Sequence, residues 1–311
     1  MPAILRIAPL VLLIASCCQA FDGWPWDDEH VREDFHYTYP LSSGGQLALE
    51  NSNGAVEISA WDRNEIEIDG TKFASNRDML NSIHIDISHT ADSVHVRTMI
   101  PDHWTHGSRG ASYVIHVPRH VALDEIQTSN GAIQVRDAQG AVHLRTSNGA
   151  IRTWDVAGDI DVETSNGPIE LSGDTGNVRA HTSNGAIRGD IHDGSLEAGT
   201  SNGEIAVRVN NPANRAVRAE SSNGRIDLTI NGTHIPEIRA TTSNSSIAVR
   251  VPGTINAQLD AETSHGSITT DFDVLVHGGQ IGKSHLQGTI GSGGPTIELS
   301  SSNGSIQLLR L

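Results

Sequence analysis

Apolar and polar residues alternate along most of this chain in short runs, the period of a half-buried β-strand. From about residue 126 onward the alternation itself repeats. A T-S-N-G run or a near copy starts at Thr128, Thr146, Thr164, Thr182 and Thr200, each 18 residues after the last, and again at Ser221, Thr242, Thr263 and Ser301. Isoleucine stands five residues after every start: Ile133, Ile151, Ile169, Ile187, Ile205, Ile226, Ile247, Ile268 and Ile306. Four and two residues before a start lie two more apolar positions, such as Val142 and Leu144, Ile160 and Val162, or Leu259 and Ala261. Each repeat therefore predicts two short strands joined by a bend at S-N-G. Asn-Gly is read there as the pair that tolerates positive φ. Three later repeats arrive after 21 residues instead of 18, with the extra length near residues 210–214, 231–236 and 252–256, so insertions collect at the edge opposite that bend.

Two all-β architectures accommodate this pattern. In a β-solenoid, equivalent residues stack about 4.8 Å apart and form continuous ladders. In an antiparallel β-meander, each Asn-Gly is a hairpin turn. Identity at equivalent positions favours the solenoid, because stacking makes like residues neighbours. The expectation is about nine to ten two-strand rungs, with an irregular β-rich cap at the N-terminal end. On the parity of the strands, the Thr column and the Asn column two residues further on (Asn130, Asn148, Asn166, Asn184, Asn202) both point to the inside of the bend. The structural ladder is then these Asn residues with Ile133, Ile151, Ile169, Ile187, Ile205, Ile226 and Ile247. Hydroxyls in such a row would bind ice or polysaccharide only if they faced solvent.

The N-terminal third follows the frame loosely. Leu47, Leu49, N-S-N-G at residues 51–54, Val56 and Ile58 reproduce one repeat, and Ile66 with Ile68 offers another strand. A short helix is expected at residues 74–82, then a hairpin in which Ile83, Ile85 and Ile87 share a side with Val94 and Val96 and Asp86 faces His95. Residues 113–118 read as a strand closing this section. Because an uncovered ladder of backbone donors invites aggregation, residues 36–125 are assigned to a cap and first irregular rungs, and residues 126–311 to the regular array. At the far end residues 301–311 make half a repeat, and the glycine-rich residues 278–294 either form a bend or cover the end.

Arg6 and the apolar run from Ile7 to Ala15 have the form of a signal-peptide core, too short for a membrane span, so residues 1–20 are read as a leader and the protein as exported. Ile14-Ala15-Ser16-Cys17 has the form of a lipobox, which makes Cys17 a lipidation site and the lipid the membrane contact; ordinary cleavage after Ala20 is the alternative. Both cysteines lie at the end of the leader and none in the repeats, so rung stacking alone must stabilise the folded domain. Residues 21–35 read as an acidic tether carrying Trp24 and Trp26.

With 37 acidic against 21 basic residues, a net charge of -16 and only two lysines, the chain is unsuited to phosphate-backbone binding, so no nucleic-acid partner is expected. The repeated N-G-x-I, the Y-V-I-H-V-P strand before the array, and G-T-I-G-S-G-G running into I-E-L-S-S-S-N-G-S-I resemble the bacterial putative-adhesin domain family. That resemblance covers about residues 40–311. It implies a β-solenoid-like domain at the cell envelope and brings no catalytic residues.

The residues themselves suggest no enzyme. H-E-x-x-H and C-x-x-C are missing, and residues 278–284, G-G-Q-I-G-K-S, fall one residue short of a P-loop spacing. Asp159, Asp161 and Glu163, or Asp271 and Asp273, could form the acidic side of a polysaccharide-cleaving groove, but no spacing brings a basic residue to them. Among sixteen histidines, His103 with His106 has a metal-compatible spacing, whereas His84, His95 and His116 read as solvent-facing strand residues. No cofactor and no metal are expected. The functional expectation is a noncatalytic envelope module, an adhesin or scaffold that contacts an envelope protein, glycan or surface. The alternatives are a carbohydrate-active enzyme on a solenoid and a structural spacer or polymerising unit.

Overall fold

A computed structural model describes residues 31–101, 108–212, 215–276 and 282–311. The leader, Cys17, Trp24, Trp26, His103, His106 and residues 278–281 of the P-loop-like run lie outside the described residues.

The regular array is a parallel β-solenoid. Its strands are β8 (Val121–Thr128), β9 (Ile133–Arg136), β10 (Val142–Thr146), β11 (Ile151–Trp154), β12 (Ala157–Thr164), β13 (Ile169–Thr182) and β14 (Ile187–Thr200). The next turns of the array supply β15 (Ile205–Asn210), β16 (Val217–Ser221), β17 (Ile226–Asn231), β18 (Ile238–Thr242) and β19 (Ile247–Val251). Each rung places one strand before the S-N-G bend in a first sheet and one after it in a second. Registers follow the repeat: Val142 lies beside Ile160, and Ile151 lies between Ile133 and Ile169. The strands β13 and β14 run unbroken for 14 residues around the opposite edge, from the second sheet into the first. Like residues are neighbours in the isoleucine and threonine columns, which is the solenoid pattern; antiparallel pairing is confined to the two ends.

Between the sheets runs one continuous apolar core. Ile133, Ile151, Ile169, Ile187, Ile205, Ile226 and Ile247 are all completely buried. Burial of each such side chain supplies about 1.5 to 3 kcal/mol, and stacking repeats the gain rung after rung. The Ala138, Val156 and Ile191 side chains close the core at the second edge. Residues with φ in the left-handed region cluster there too, among them Asp137, Asp155 and Gly173.

Both ends are threaded out of chain order. The N-terminal region contains β1 (Val31–Pro40), β2 (Gly45–Glu50), β3 (Val56–Trp61), β4 (Glu65–Ala74), the helix α1 (Arg77–Asn81), β5 (His84–His89), β6 (Ser93–Met99) and β7 (Arg109–Pro118). The pair β2/β3 is sandwiched between β6/β7 on one side and β8/β9 on the other, all parallel. Antiparallel strands then cover the end: β5 on β6, and β4 followed by β1 on β7. At the C-terminal end stand β20 (Ala257–Thr263), β21 (Ile268–Thr270), β22 (Val274–Leu275), β23 (His285–Ile290), β24 (Thr296–Ser301) and β25 (Ile306–Arg310). Here the last rung of the chain, β24/β25, inserts between β18/β19 and β20/β21. The strand β23 covers the outer edge of the first sheet antiparallel to β20, and β22 pairs antiparallel with β23.

Counting in space from β6/β7 to β20/β21 gives eleven rungs, more than the repeat motif indicates, because β6/β7 is a rung without T-S-N-G. Residues 301–311 are half of an interior rung, not a bare terminus. At the start, residues 31–35 of the expected tether are strand β1, paired with β4 over its full length. The expected helix forms at Arg77–Asn81, capped by the Asn76 side chain, which accepts from the Met79 N–H. The expected hairpin forms as β5/β6, but with Asp86 opposite Arg97 and Ser88 opposite His95.

Candidate functional site

The T-S-N-G bend divides its residues between inside and outside. The hydroxyls of Thr128, Thr146, Thr164, Thr182 and Thr200 are buried, and each donates to a glycine carbonyl of the preceding rung. In Thr164, Thr182 and Thr200 the same oxygen accepts the N–H of the glycine three residues on. A buried hydroxyl row cannot template ice or sugar, so that use of the threonines is excluded.

The asparagines are exposed, contrary to expectation, because the bend interrupts strand alternation and turns the second residue after Thr outward. They still form a ladder. Asn130 donates its amide to the Asn53 side-chain oxygen, Asn148 to Asn130, Asn166 to Asn148, Asn184 to Asn166 and Asn202 to Asn184, at 2.7 to 2.8 Å. The row continues through Asn223 and Asn244 to Asn303. Amide donors and acceptors largely consume one another, so the ladder is a brace along the bend.

The glycine of the motif is also used differently than expected. Among T-S-N-G and N-S-N-G glycines, Gly54 has φ of +127° and the others stay outside the left-handed region. The requirement is close stacking: a Cβ on Gly149 would lie 1.7 Å from the Gly131 carbonyl oxygen.

The outer face of the first sheet is polar. Arginines there pair with acids of adjoining rungs, with Arg145 2.7 Å from Glu163, Arg179 3.3 Å from Glu197 and Arg218 3.4 Å from Glu237. Open depressions lie side by side along this face, from Glu50 and Arg97 at one end to Arg218 and Thr241 at the other. The acidic candidates sit in them and do have basic neighbours: Glu163 pairs with Arg145, and Asp161 lies 3.7 Å from Arg179. Spacing along the chain concealed these partners because they come from the next rung, 18 residues away. Asp159 accepts from the Asn177 amide. Asp271 accepts the Arg310 N–H at the far end, and Asp273 is exposed beside it. Asp159, Asp161 and Glu163 are thus each engaged with a side chain of an adjoining rung on an open face.

The remaining candidates are separate from one another. His95 lies 3.3 Å from Glu50, His116 bonds Ser59 at 2.7 Å and stacks on Trp61, and His84 is exposed on β5. The described part of the P-loop-like run leads into strand β23 instead of a helix.

Two features escaped the sequence reading. Asp174 is completely buried at the second edge, in the column that Ala138, Val156 and Ile191 otherwise fill, and burial pushes its carboxyl up to about 6. No charge pattern marks it, since it looks like one more turn aspartate. His36, Glu67 and Asp69 gather on the outer face of β1 and β4. Their grouping depends on the pairing of β1 with β4, which no repeat in the sequence marks.

No helix among the described residues is long and apolar enough to cross a membrane. No curated protein matches the chain. Among solved structures it is similar to a putative cell adhesion protein from Clostridium sporogenes, at 11% identity and TM-score 0.25, over 90% of this chain and 100% of that one. It is also similar to a putative adhesin from Bacteroides fragilis, at 15% identity and TM-score 0.35, over 90% and 97%. The Toastrack DUF4097 family model matches residues 45–309, from the first threaded rung to the last, and the chain belongs to that family.

Proposed function

We propose that this protein is a noncatalytic module of the cell envelope that holds a partner protein, glycan or surface against the outer face of its first sheet. The observation that carries this reading is the face itself: a rigid run of rungs whose acids and arginines are paired with each other across an open polar surface. A hydrolase needs an acid and a base or nucleophile poised around one bond. The carboxyl here that is pushed far up, Asp174, is sealed in the core away from any substrate. Such paired charges suit recognition, where they fix register and exclude wrong partners. The reading includes export through the N-terminal leader and anchoring through a lipid on Cys17, and the names of the similar solved structures agree with a surface location.

A purely polymerising role is disfavoured by the antiparallel strands that cover both ends of the first sheet. The test is a glycan array and an envelope-component binding screen with the mature chain, repeated with Arg179→Glu and Arg218→Glu. Selective binding that these reversals abolish supports the reading. Release of reducing ends from any polysaccharide in the same panel would replace it with the enzymatic one. Radioactive fatty-acid labelling that disappears in Cys17→Ser tests the anchor.

A further inference from the structure

On the outer face of the N-terminal end, β1 and β4 run antiparallel with His36 opposite Asp69 and Thr38 opposite Glu67. Glu67 and Asp69, two residues apart on one strand, project to the same side. One donor atom from each of His36, Glu67 and Asp69 lies within 4.8 Å of the others. We propose that these three side chains form a site for a divalent transition-metal ion, with zinc the best match.

Charge is the first argument. Elsewhere on the outer faces, carboxylates such as Glu163, Glu170 and Glu197 have an arginine from a neighbouring rung. Among the described residues, neither Glu67 nor Asp69 has a lysine or arginine within ion-pair distance. Their one nearby basic group is the His36 imidazole, whose Nδ1 lies 2.8 Å from an Asp69 oxygen. Two adjacent carboxylates served by one imidazole leave negative charge that a dication neutralises.

Orientation of the imidazole is the second. The Thr38 hydroxyl lies 3.2 Å from His36 Nε2, on the side of the ring away from Asp69. Without a metal, Nδ1 donates its proton to the Asp69 carboxylate; a metal ion displaces that proton, and with Nε2–H donated to Thr38 the Nδ1 lone pair then faces the carboxylates, as a ligating histidine requires. Rigidity is the third: β1 and β4 pair over ten residues, and the buried Ile66 and Ile68 fix β4 from behind. A site on paired strands is held more accurately than one on a loop.

One nitrogen and two carboxylate oxygens are three of the four ligands of a tetrahedral zinc site that keeps an open position. Calcium and magnesium prefer all-oxygen shells, so the imidazole selects against them. The fourth position faces solvent, where water or an oxygen donor of a partner completes it. The site stands independently of the envelope-binding reading.

Equilibrium dialysis of the mature chain, stripped with EDTA and titrated with zinc, tests it. One tight equivalent per chain is expected, weakened about tenfold or more by Glu67→Gln and by Asp69→Asn. His84→Gln, on a different strand, should leave it unchanged, and circular dichroism should show every variant folded. Equal zinc affinity and stoichiometry in a Glu67→Gln/Asp69→Asn double variant would overturn the site and leave His36 and Asp69 as an ordinary ion pair. Calcium binding at these residues without zinc binding would overturn the assignment of the metal.

Discussion

Thr153 donates its hydroxyl hydrogen to the carboxylate of Asp174 one rung away, and both side chains are completely buried. The other carboxylate oxygen accepts the Val156 N–H at 3.0 Å. Burial raises this carboxyl from 3.8 to about 6, although the two hydrogen bonds oppose the shift. Because the folded value lies above the unfolded one, the fold holds a proton that the unfolded chain releases. This group therefore favours folding most below about pH 4 and loses that contribution as pH rises through about 6, by roughly 3 kcal/mol. An amide keeps the acceptor for Val156 and loses the charge. Urea melts should find Asp174→Asn more stable than wild type at pH 7.5, with the gap closing near pH 4. Parallel pH profiles for the two proteins would refute the assignment.

The Thr182 hydroxyl lies 3.1 Å from the Gly167 carbonyl on the preceding rung and 3.1 Å from the Gly185 N–H of its own bend. Thr182→Val keeps the shape and leaves both backbone groups buried without their partner. A loss of about 1–3 kcal/mol is expected for each group left unsatisfied. Thermal unfolding measures it, and a Tm equal to wild type would mean that water reaches the bend.

At Gly185 a Cβ would lie 1.8 Å from the Gly167 carbonyl oxygen, so Gly185→Ala must push two rungs apart. A cost of about 1–3 kcal/mol is expected, as for overpacking in a core. Ser245 occupies the same column, so the stack can absorb one side chain there, and Ser245→Ala should stay within about 0.5 kcal/mol of wild type. If both substitutions cost the same, close stacking is not the reason for the glycines.

Truncation before Thr296 removes β24 and β25, which pair with β18 and β19 on one side and with β20 and β21 on the other. In a solenoid laid down in chain order, such a truncation would shorten the stack by its last rung. Here it opens a gap. Hydrogen exchange should show protection lost in β20, β21 and β23 as well, while β8 to β15 stay protected. Loss confined to β20, β21 and β23, with β18 and β19 still protected, would fit a stack laid down in chain order and contradict the threading.

The interior of the fold was legible because stacking makes sequence identity and spatial adjacency the same thing: Ile151 and Ile169 match because they touch. The ends were not, since nothing in Ser301 or Ile306 distinguishes a rung that follows the array from one inserted into it. The bend was half legible. Thr164 lies inside as parity predicts, whereas Asn166 is exposed because alternation stops where the strand does. The groupings on the surface depend on pairings between distant segments: Arg145 reaches Glu163 through the rung period, which is recoverable, but His36 reaches Asp69 through a hairpin-like return that no repeat announces.

Because β2/β3 and β24/β25 are each tucked one place inward, the two closures are self-contained and the 18-residue repeats from Thr128 to Thr200 lie between them. Adding or deleting one 18-residue unit in that stretch would change the length of the protein by about 4.8 Å and disturb neither closure. The span of such a molecule is thus a heritable, stepwise quantity, set by counting units in the gene and independent of whatever the terminal segments have evolved to hold.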